Sequence, residues 1–415
     1  MICYHYPPIA GSSGYQRTLN FARNLLGLGW EPLVLTVHPR AYPNVQEEGS
    51  DADPGALRVV RAFALDASRH LAIRGRYPSF LAWPDRWISW WIGAVPLSRR
   101  TVLDFNPHVI WSTYPIATAH LIASSWQRKL RRPWVADFRD PMTEDNYPSA
   151  IQGRMVRRIE RTTVSQASRI VVTTDGAARE IASHYPGLAP PEKFTTIPNG
   201  FDEAAFQAAE NQPKPTRIRS VAVELLHSGI LYPAERDPRA LFMALSQLRD
   251  EGRISVRDLH VTLRASAHDE LYKPQIESLA LEGIVSLEAG LPYVQALREM
   301  LAADGLLLFQ GSICNNQVPA KAYEYMRAQR PVLALTDPRG DTARLLAESG
   351  FNRICPIDSV DAIKRALLAL LEDIRLGRSV VPARGVFAKF DRRYQARVLA
   401  DVLNDVAVRS GPTSH

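Results

Sequence analysis

The first half of the chain alternates short apolar runs with amphipathic stretches. Residues 2–6 read as a strand and residues 7–14 as a loop bearing proline and glycine. Leu19, Phe21, Ala22, Leu25 and Leu26 then recur at largely helical spacing. Residues 32–37 are the next strand, and a strand, glycine loop, helix, strand unit is the basic piece of a doubly wound α/β domain. Further strands are predicted over 57–63, 108–112, 134–137, 169–173 and 193–197, with helices between them. The polar, proline-bearing residues 207–220 read as a surface connection. A second series follows, with strands over 220–227, 259–264, 285–287, 305–309 and 332–335. Its helices lie over 238–250 and near 270–282, 293–302 and 319–328, and residues 387–408 also have a helical pattern. Two alternating series with a break near the middle predict an α/β protein of two Rossmann-like domains facing across a cleft.

Length and charge narrow the picture. A chain of 415 residues exceeds one ordinary core and fits two domains of about 200 residues each. The formal net charge of +7 and pI near 9.3 favour anionic partners, whether nucleoside diphosphates, anionic lipid surfaces or nucleic acid. Nucleic acid is disfavoured, because the charge is spread out and no recognition motif accompanies it. Cys3, Cys314 and Cys355 lie far apart with no CxxC pair, so a reduced, intracellular protein without a zinc site is expected. The longest apolar run, residues 87–97, is interrupted by Ser89, Gly93 and Pro96 and falls short of the roughly 20 residues of a membrane span. No basic region followed by an apolar core opens the sequence, so no signal peptide is expected and a cytoplasmic location is.

Several residues could carry chemistry. Gly11 and Gly14 open the backbone to a ligand, and the helix that follows offers its N-terminus to an anion. The spacing is not GxGxxG and no acidic residue clearly ends the second strand, which disfavours a dinucleotide site. Arg17 has two readings, a cleft-facing cation or a solvated helix position. Asp137, Arg139 and Asp140 gather charge at a strand end, as a functional cluster or as an ion pair holding a loop. His120, alone on a helix, reads most simply as structural. In the second half Gly229 permits close approach, and Arg236 before a helix N-terminus suits a bidentate phosphate clamp, with surface pairing to Glu235 or Asp237 as the alternative. Lys321 and Glu324 share one helix face. The ammonium suits diphosphate charge and the carboxylate can accept both hydroxyls of a ribose, unless the two are merely a solvated pair. Trp83, Trp87, Trp90 and Trp91 with Arg86, Arg99 and Arg100 are either packed tryptophans or an aromatic, basic membrane-surface element. Arg154, Arg157, Arg158 and Arg161 form a basic helix face, solvated or set against anionic headgroups.

Five motifs in order carry a resemblance. They are P-P-x-x-G-x-x-G-x-x-R at 7–17, D-F-R-D-P at 137–141, I-P-N-G-F-D at 197–202, the R-D-P of 236–238 and K-A-Y-E-Y-M at 321–326. The ordered set resembles the family 4 glycosyltransferases of GT-B architecture, in particular a subset with a DFRDPW-like signature, here with Met142 in place of Trp. The resemblance implies a retaining transferase that moves a sugar from a nucleoside-diphosphate sugar to a hydroxyl acceptor, in cell-surface polysaccharide or glycolipid assembly. It implies no metal or other cofactor and a saccharide or lipid-linked saccharide acceptor, while the tryptophan–arginine stretch and the basic helix face leave open peripheral contact with the inner face of an anionic membrane. It assigns an acceptor-side domain to residues 1–203 and a nucleotide-sugar domain to 217–386, with the 387–408 helix packing back on the first. Glu324 would bind the ribose, and Lys321 and Arg236 the diphosphate, with Gly11, Gly14, Arg17 and Gly229 lining the donor. Asp137, Asp140 and His120 would border the acceptor and the reacting sugar. Two positions depart from the family: Asn316 stands where a Glu often contacts the donor sugar, and Gln329 where a Gly is usual. They keep open a non-catalytic scaffold or nucleotide-sugar-binding subunit, alongside a nucleotide-sugar epimerase.

Overall fold

A computed structural model describes residues 1–9, 13–45, 57–142, 149–212 and 222–409. The chain divides into two compact units, Met1–Pro198 with Arg392–His415, and Asn199–Asp391.

The first unit is built on parallel strands β1 (Leu33–Val37), β2 (Arg58–Ala62), β3 (Ile110–Thr113), β4 (Trp134–Phe138), β5 (Arg169–Val172) and β6 (Phe194–Thr196). Ile2 bridges Leu35 of β1 and Ser112 of β3 in parallel register, which joins all six into one layer. The expected first strand over 2–6 is thus reduced to one bridging residue; the chain then turns, and the Tyr4 ring packs against Tyr42, Trp87 and Trp90. β1 and β4 are buried along their whole length, as strands covered on both faces must be. One face is covered by the helix Gln16–Leu26 and by the C-terminal helix Arg392–Arg409. Phe21 and Leu25 meet Leu399, Leu403 and Val406 there over Trp111, Val135 and Val171. The helix Ala117–Leu130 covers the other face through Ala119, Ile122 and Trp126. Of the four tryptophans that could have faced a membrane, Trp87, Trp90 and Trp91 lie on this core. Trp90 is fully buried, Trp87 and Trp91 pack against the cluster, and Trp91 Nε1 donates to Ser125 Oγ at 2.9 Å.

The second unit repeats the plan with β7 (Val223–Ser228), β8 (Leu259–Arg264), β9 (Val285–Glu288), β10 (Gly305–Gln310), β11 (Val332–Thr336) and β12 (Arg353–Cys355). All are parallel, in the order β12-β11-β10-β7-β8-β9. β12 and the helices Glu203–Glu210, Asp341–Glu348 and Val360–Arg375 are additions to the elements expected from sequence. Three residues are too few for β12 to show a period. The helix Val360–Arg375 does carry one, since Ile363, Leu367, Leu370 and Leu371 form its buried stripe. Helix Glu203–Glu210 runs into the stretch 207–220 read as polar connection. Phe206 and Ala209 nevertheless pack it beside Leu297, Met300 and Tyr325.

Both sheets change winding direction once, between Ile2 and β3 in the first unit and between β7 and β10 in the second. At such a switch point the loops leaving neighbouring strands diverge and open a crevice at the carboxyl edge.

Candidate functional site

In the second unit the switch-point crevice is lined by the loops after β7 and β10. Gly229 follows β7 with φ of 152°, a conformation L side chains rarely adopt. A Cβ there would lie 3.6 Å from Lys321 Cε and 3.8 Å from His227 Nε2, ordinary contact distances, so the backbone conformation and not lack of space calls for glycine. The following turn presents Arg236, whose guanidinium donates to the Ile230 carbonyl at 3.3 Å and lies over the Tyr232 ring. From β10, buried Gln310 donates through Nε2 to the carbonyls of Cys314 and Gln317 (2.8 and 2.9 Å), which fixes the loop between them. Gly311 N–H reaches the Glu235 carbonyl, tying the two switch-point loops together.

The helix Ala320–Ala328 then enters the crevice with its N-terminus. Lys321 Nζ donates to Glu324 Oε2 at 2.8 Å, and Tyr293 Oη donates to Oε1 at 2.9 Å. The Glu324 side chain is 4% exposed and that of Lys321 26%. Arg327 anchors the helix from beneath, through Glu203 and Glu210 and over the Phe206 ring. His227 Nδ1 contacts the Leu307 carbonyl at 2.9 Å, so Nδ1 carries the proton and Nε2 is left as an acceptor. Among the described residues Nε2 has no partner. Burial pulls the His227 pKa down to about 4, and the nearby Arg236 and Lys321 cations push the same way. The crevice therefore combines two cations, a helix N-terminus and one acceptor carboxylate, which together suit a diphosphate next to a diol.

The two positions at which the chain departs from the pattern it resembles differ in kind. Asn316 is exposed on the loop after β10. Gln329 closes the helix in the left-handed conformation at φ 51°, and its Nε2 donates to the Pro382 carbonyl at 3.1 Å. A glycine would be at ease at that helix end, so the position serves the backbone and not the chemistry.

In the first unit Gly11 lies outside the described residues. Arg17 corrects both of its sequence readings, because it is neither cleft-facing nor solvated. It is buried, donating to Asp137 Oδ2 and Oδ1 (3.1 and 2.9 Å) and to the carbonyls of Pro198 and Ile197 (2.8 and 2.9 Å). Thr113 Oγ1 adds a third bond to Asp137 at 2.8 Å. With both oxygens engaged and no exposed surface, Asp137 is a structural anchor and not a sugar-orienting group. His120 is likewise a core residue. It is fully buried among Tyr114, Trp134 and Phe138, bonds Ser112 Oγ through Nδ1 at 2.8 Å, and has its pKa pulled to about 3 by that burial.

What does line the switch point is partly different. Arg139 Nη1 donates to the Gly14 carbonyl at 2.6 Å, and Asp140 beside it is exposed. Burial lowers the Arg139 pKa, Asp140 opposes this, and neighbouring Arg17 adds to it. His5, reached directly from the Ile2 bridge, has its pKa lowered to about 4 by burial and then by Arg139. His5, Gly14, Thr113, Pro115, Ile116 and Arg139 enclose a small recess. His5, His227 and Tyr293 were not singled out from sequence; for His5, its place just after the first predicted strand was the available signal. A larger cavity of about 610 Å³ lies at the opposite, amino edge, lined largely by apolar groups such as Leu28, Trp30, Phe105 and Leu403. It is remote from the charged groups, and we place the chemistry at the carboxyl edge on physical grounds. Among the described residues no set of three or more His, Cys, Asp and Glu converges as a metal site.

Residues 14–200 match the family model for the glycosyl transferase 4-like domain. No curated protein shows significant similarity to the chain. Among solved structures, HepE from Anabaena in complex with UDP and glucose aligns with a TM-score of 0.66 at 14% identity, covering 97% of this chain and 98% of that one. The trehalose 6-phosphate synthase of Burkholderia multivorans aligns with a TM-score of 0.63 at 11% identity, covering 100% and 97%. WaaG, a glycosyltransferase involved in lipopolysaccharide biosynthesis, gives 0.55 at 15%, covering 99% of each. The chain thus has the fold of the GT-B glycosyltransferases.

Proposed function

We propose that the protein is a retaining glycosyltransferase that moves a hexosyl or related glycosyl group from a nucleoside-diphosphate sugar to a hydroxyl acceptor. In this reading the second unit holds the donor and the first the acceptor. The observation that carries it is the meeting of Gly229, Arg236, Lys321 and Glu324 at one switch point. Ribose hydroxyls take the place of Lys321 on Glu324, and the released ammonium turns to the diphosphate. As the bond from the anomeric carbon to the phosphate oxygen breaks, negative charge grows on the diphosphate. Arg236, Lys321 and the N-terminus of helix Ala320–Ala328 are positioned to stabilise it. The departing phosphate oxygen accepts the proton of the incoming hydroxyl, which arrives on the same face, so configuration is retained. Neither a carboxylate nucleophile nor a metal or other cofactor is then required. Asp140 orients the acceptor from the first unit.

HepE is described with UDP and glucose and WaaG as acting in lipopolysaccharide biosynthesis. They support a UDP-sugar as the first donor to test and a saccharide or lipid-linked saccharide of cell-surface assembly as the acceptor class. The proposed location is cytoplasmic, at the inner face of the membrane. Among the described residues no helix is long and apolar enough to cross a membrane.

The test is thermal denaturation with UDP-, GDP-, dTDP- and ADP-sugars and their diphosphates, with and without magnesium, followed by product analysis with the donor that binds. A base-selective rise in melting temperature without metal, and acceptor-dependent release of the diphosphate with retained configuration, are expected. Binding with no turnover over a broad acceptor panel would replace this reading with a nucleotide-sugar-binding subunit. Conversion of the sugar with no acceptor would replace it with an epimerase.

A further inference from the structure

Arg17 has spent its hydrogen-bonding capacity, but two guanidiniums in the same unit have not. Arg139, just past the end of β4, is partly buried and donates from Nη1 to the Gly14 carbonyl at 2.6 Å. Arg392, at the start of the C-terminal helix, is 7% exposed and donates from Nη2 to Gln16 Oε1 at 2.8 Å. Among the described residues, Arg139 Nε and Arg392 Nη1 are buried without a partner. Nε and Nη2 form one edge of the guanidinium, so Arg139 can still grip an oxyanion with two parallel bonds. A charged donor left unmet in the interior is costly. If these arginines served only to staple the chain at Gly14 and Gln16, a neutral donor at each place would do so without that cost.

The balance of charge points the same way. Arg17 and Arg392 act on Arg139 with one sign, and Asp137 and Asp140 with the other, so three guanidiniums meet two carboxylates. Asp137 is taken up by Arg17 and Thr113, which leaves exposed Asp140 against both remaining cations. The tethering residues Gly14 and Gln16 flank Tyr15, and Gln16 opens the helix Gln16–Leu26. That helix has no acidic residue in its first turn and no side chain capping its N-terminus, so its partial positive charge adds to the excess. His5, which shares a recess with Arg139, is kept neutral near pH 7 because burial lowers its pKa to about 4.

We propose that Arg139 and Arg392, with the N-terminus of helix Gln16–Leu26, seat an anionic substituent of the acceptor, a phosphate or a carboxylate. The inference rests on the reading of the first unit as the acceptor side, and it narrows the acceptor to an acidic saccharide or a saccharide phosphate. A guanidinium matches either oxyanion. A neutral saccharide leaves both cations uncompensated and binds more weakly.

The test has a binding arm and a turnover arm. In the first, inorganic phosphate is titrated by calorimetry into full-length protein carrying Lys321→Ala and Arg236→Ala, which removes the cations of the second unit's crevice. Saturable binding is expected, and adding Arg139→Met or Arg392→Met should weaken it by about tenfold or more. Arg392→Lys, which keeps the charge but not the planar fork, should give a smaller loss and covers the case in which a methionine variant fails to fold. In the second arm, the wild type and the donor that binds it are given neutral saccharides matched to their uronic acids and phosphates. The acidic members should be favoured by about tenfold or more in kcat/KM, and Arg392→Met should abolish the preference. No saturable phosphate binding, or binding unchanged by the Arg139 and Arg392 variants, would overturn the site. Neutral acceptors used as well as acidic ones would overturn the acceptor class. Absence of turnover with every acceptor would strike the transferase reading instead, and the phosphate titration would still decide the anion site.

Discussion

Each unit places an ion pair near its switch point, and the two pairs are built for opposite purposes. Arg17 and Asp137 are buried and saturated. The guanidinium makes two bonds to the carboxylate and two to the carbonyls of Ile197 and Pro198, and Thr113 closes the remaining side. A ligand entering there would strand two backbone carbonyls as well as a charge, at several kcal/mol. Lys321 donates one bond to Glu324, Tyr293 also donates to that carboxylate, and the lysine reaches solvent. A diphosphate and a ribose can replace each partner with a better one. Charge at a strand end is therefore a poor guide to function by itself; what distinguishes a site is whether its hydrogen-bonding capacity is already spent.

Removing one partner from each pair exposes that contrast most directly. Asp137→Ala leaves Arg17 buried without a counter-charge, and about 3–5 kcal/mol of stability should be lost. Urea denaturation should show this as a large fall in midpoint at unchanged slope. A loss below about 1 kcal/mol would mean that the pair is not the anchor its geometry describes. Lys321→Ala should behave in the reverse manner. Stability should change by only about 1 kcal/mol, because the side chain is partly exposed and makes one bond. Affinity for the best-binding nucleoside diphosphate, measured by calorimetry, should fall about 10–100-fold, as one charge-assisted contact to phosphate is lost. Equal affinity in the variant and the wild type would remove Lys321 from the donor site.

Legibility from sequence divides along the same line. The alternation of strands and helices was readable because each central strand, such as β4, is apolar enough to be covered on both faces. The Lys321–Glu324 pairing was readable because three-residue spacing on a helix fixes proximity. Tyr293 was not, since its contact with Glu324 spans 31 residues of chain and depends on how two helices lie on one sheet. His120 and Asp137 illustrate the converse. A motif places a residue at a strand or helix end, but only tertiary packing decides whether its polar atoms face inward, as theirs do.

The smallest expected effect concerns Gln329, where the chain departs from the pattern it resembles, at the far end of the helix Ala320–Ala328. Its left-handed conformation, φ 51° and ψ 46°, costs a side-chain-bearing residue about 1 kcal/mol relative to glycine. The bond from its Nε2 to the Pro382 carbonyl returns part of that, and the greater freedom of glycine in the unfolded chain offsets a further part. Gln329→Gly should therefore alter stability by no more than about 1 kcal/mol, with stabilisation the expected sign. Nucleoside diphosphate affinity should stay within about twofold of the wild type, because the residue caps the helix at the end away from Lys321 and Glu324. Paired thermal and calorimetric measurements would check both halves. A large gain in affinity would instead show that the glutamine holds the helix away from its binding position, making this departure functional and not merely conformational.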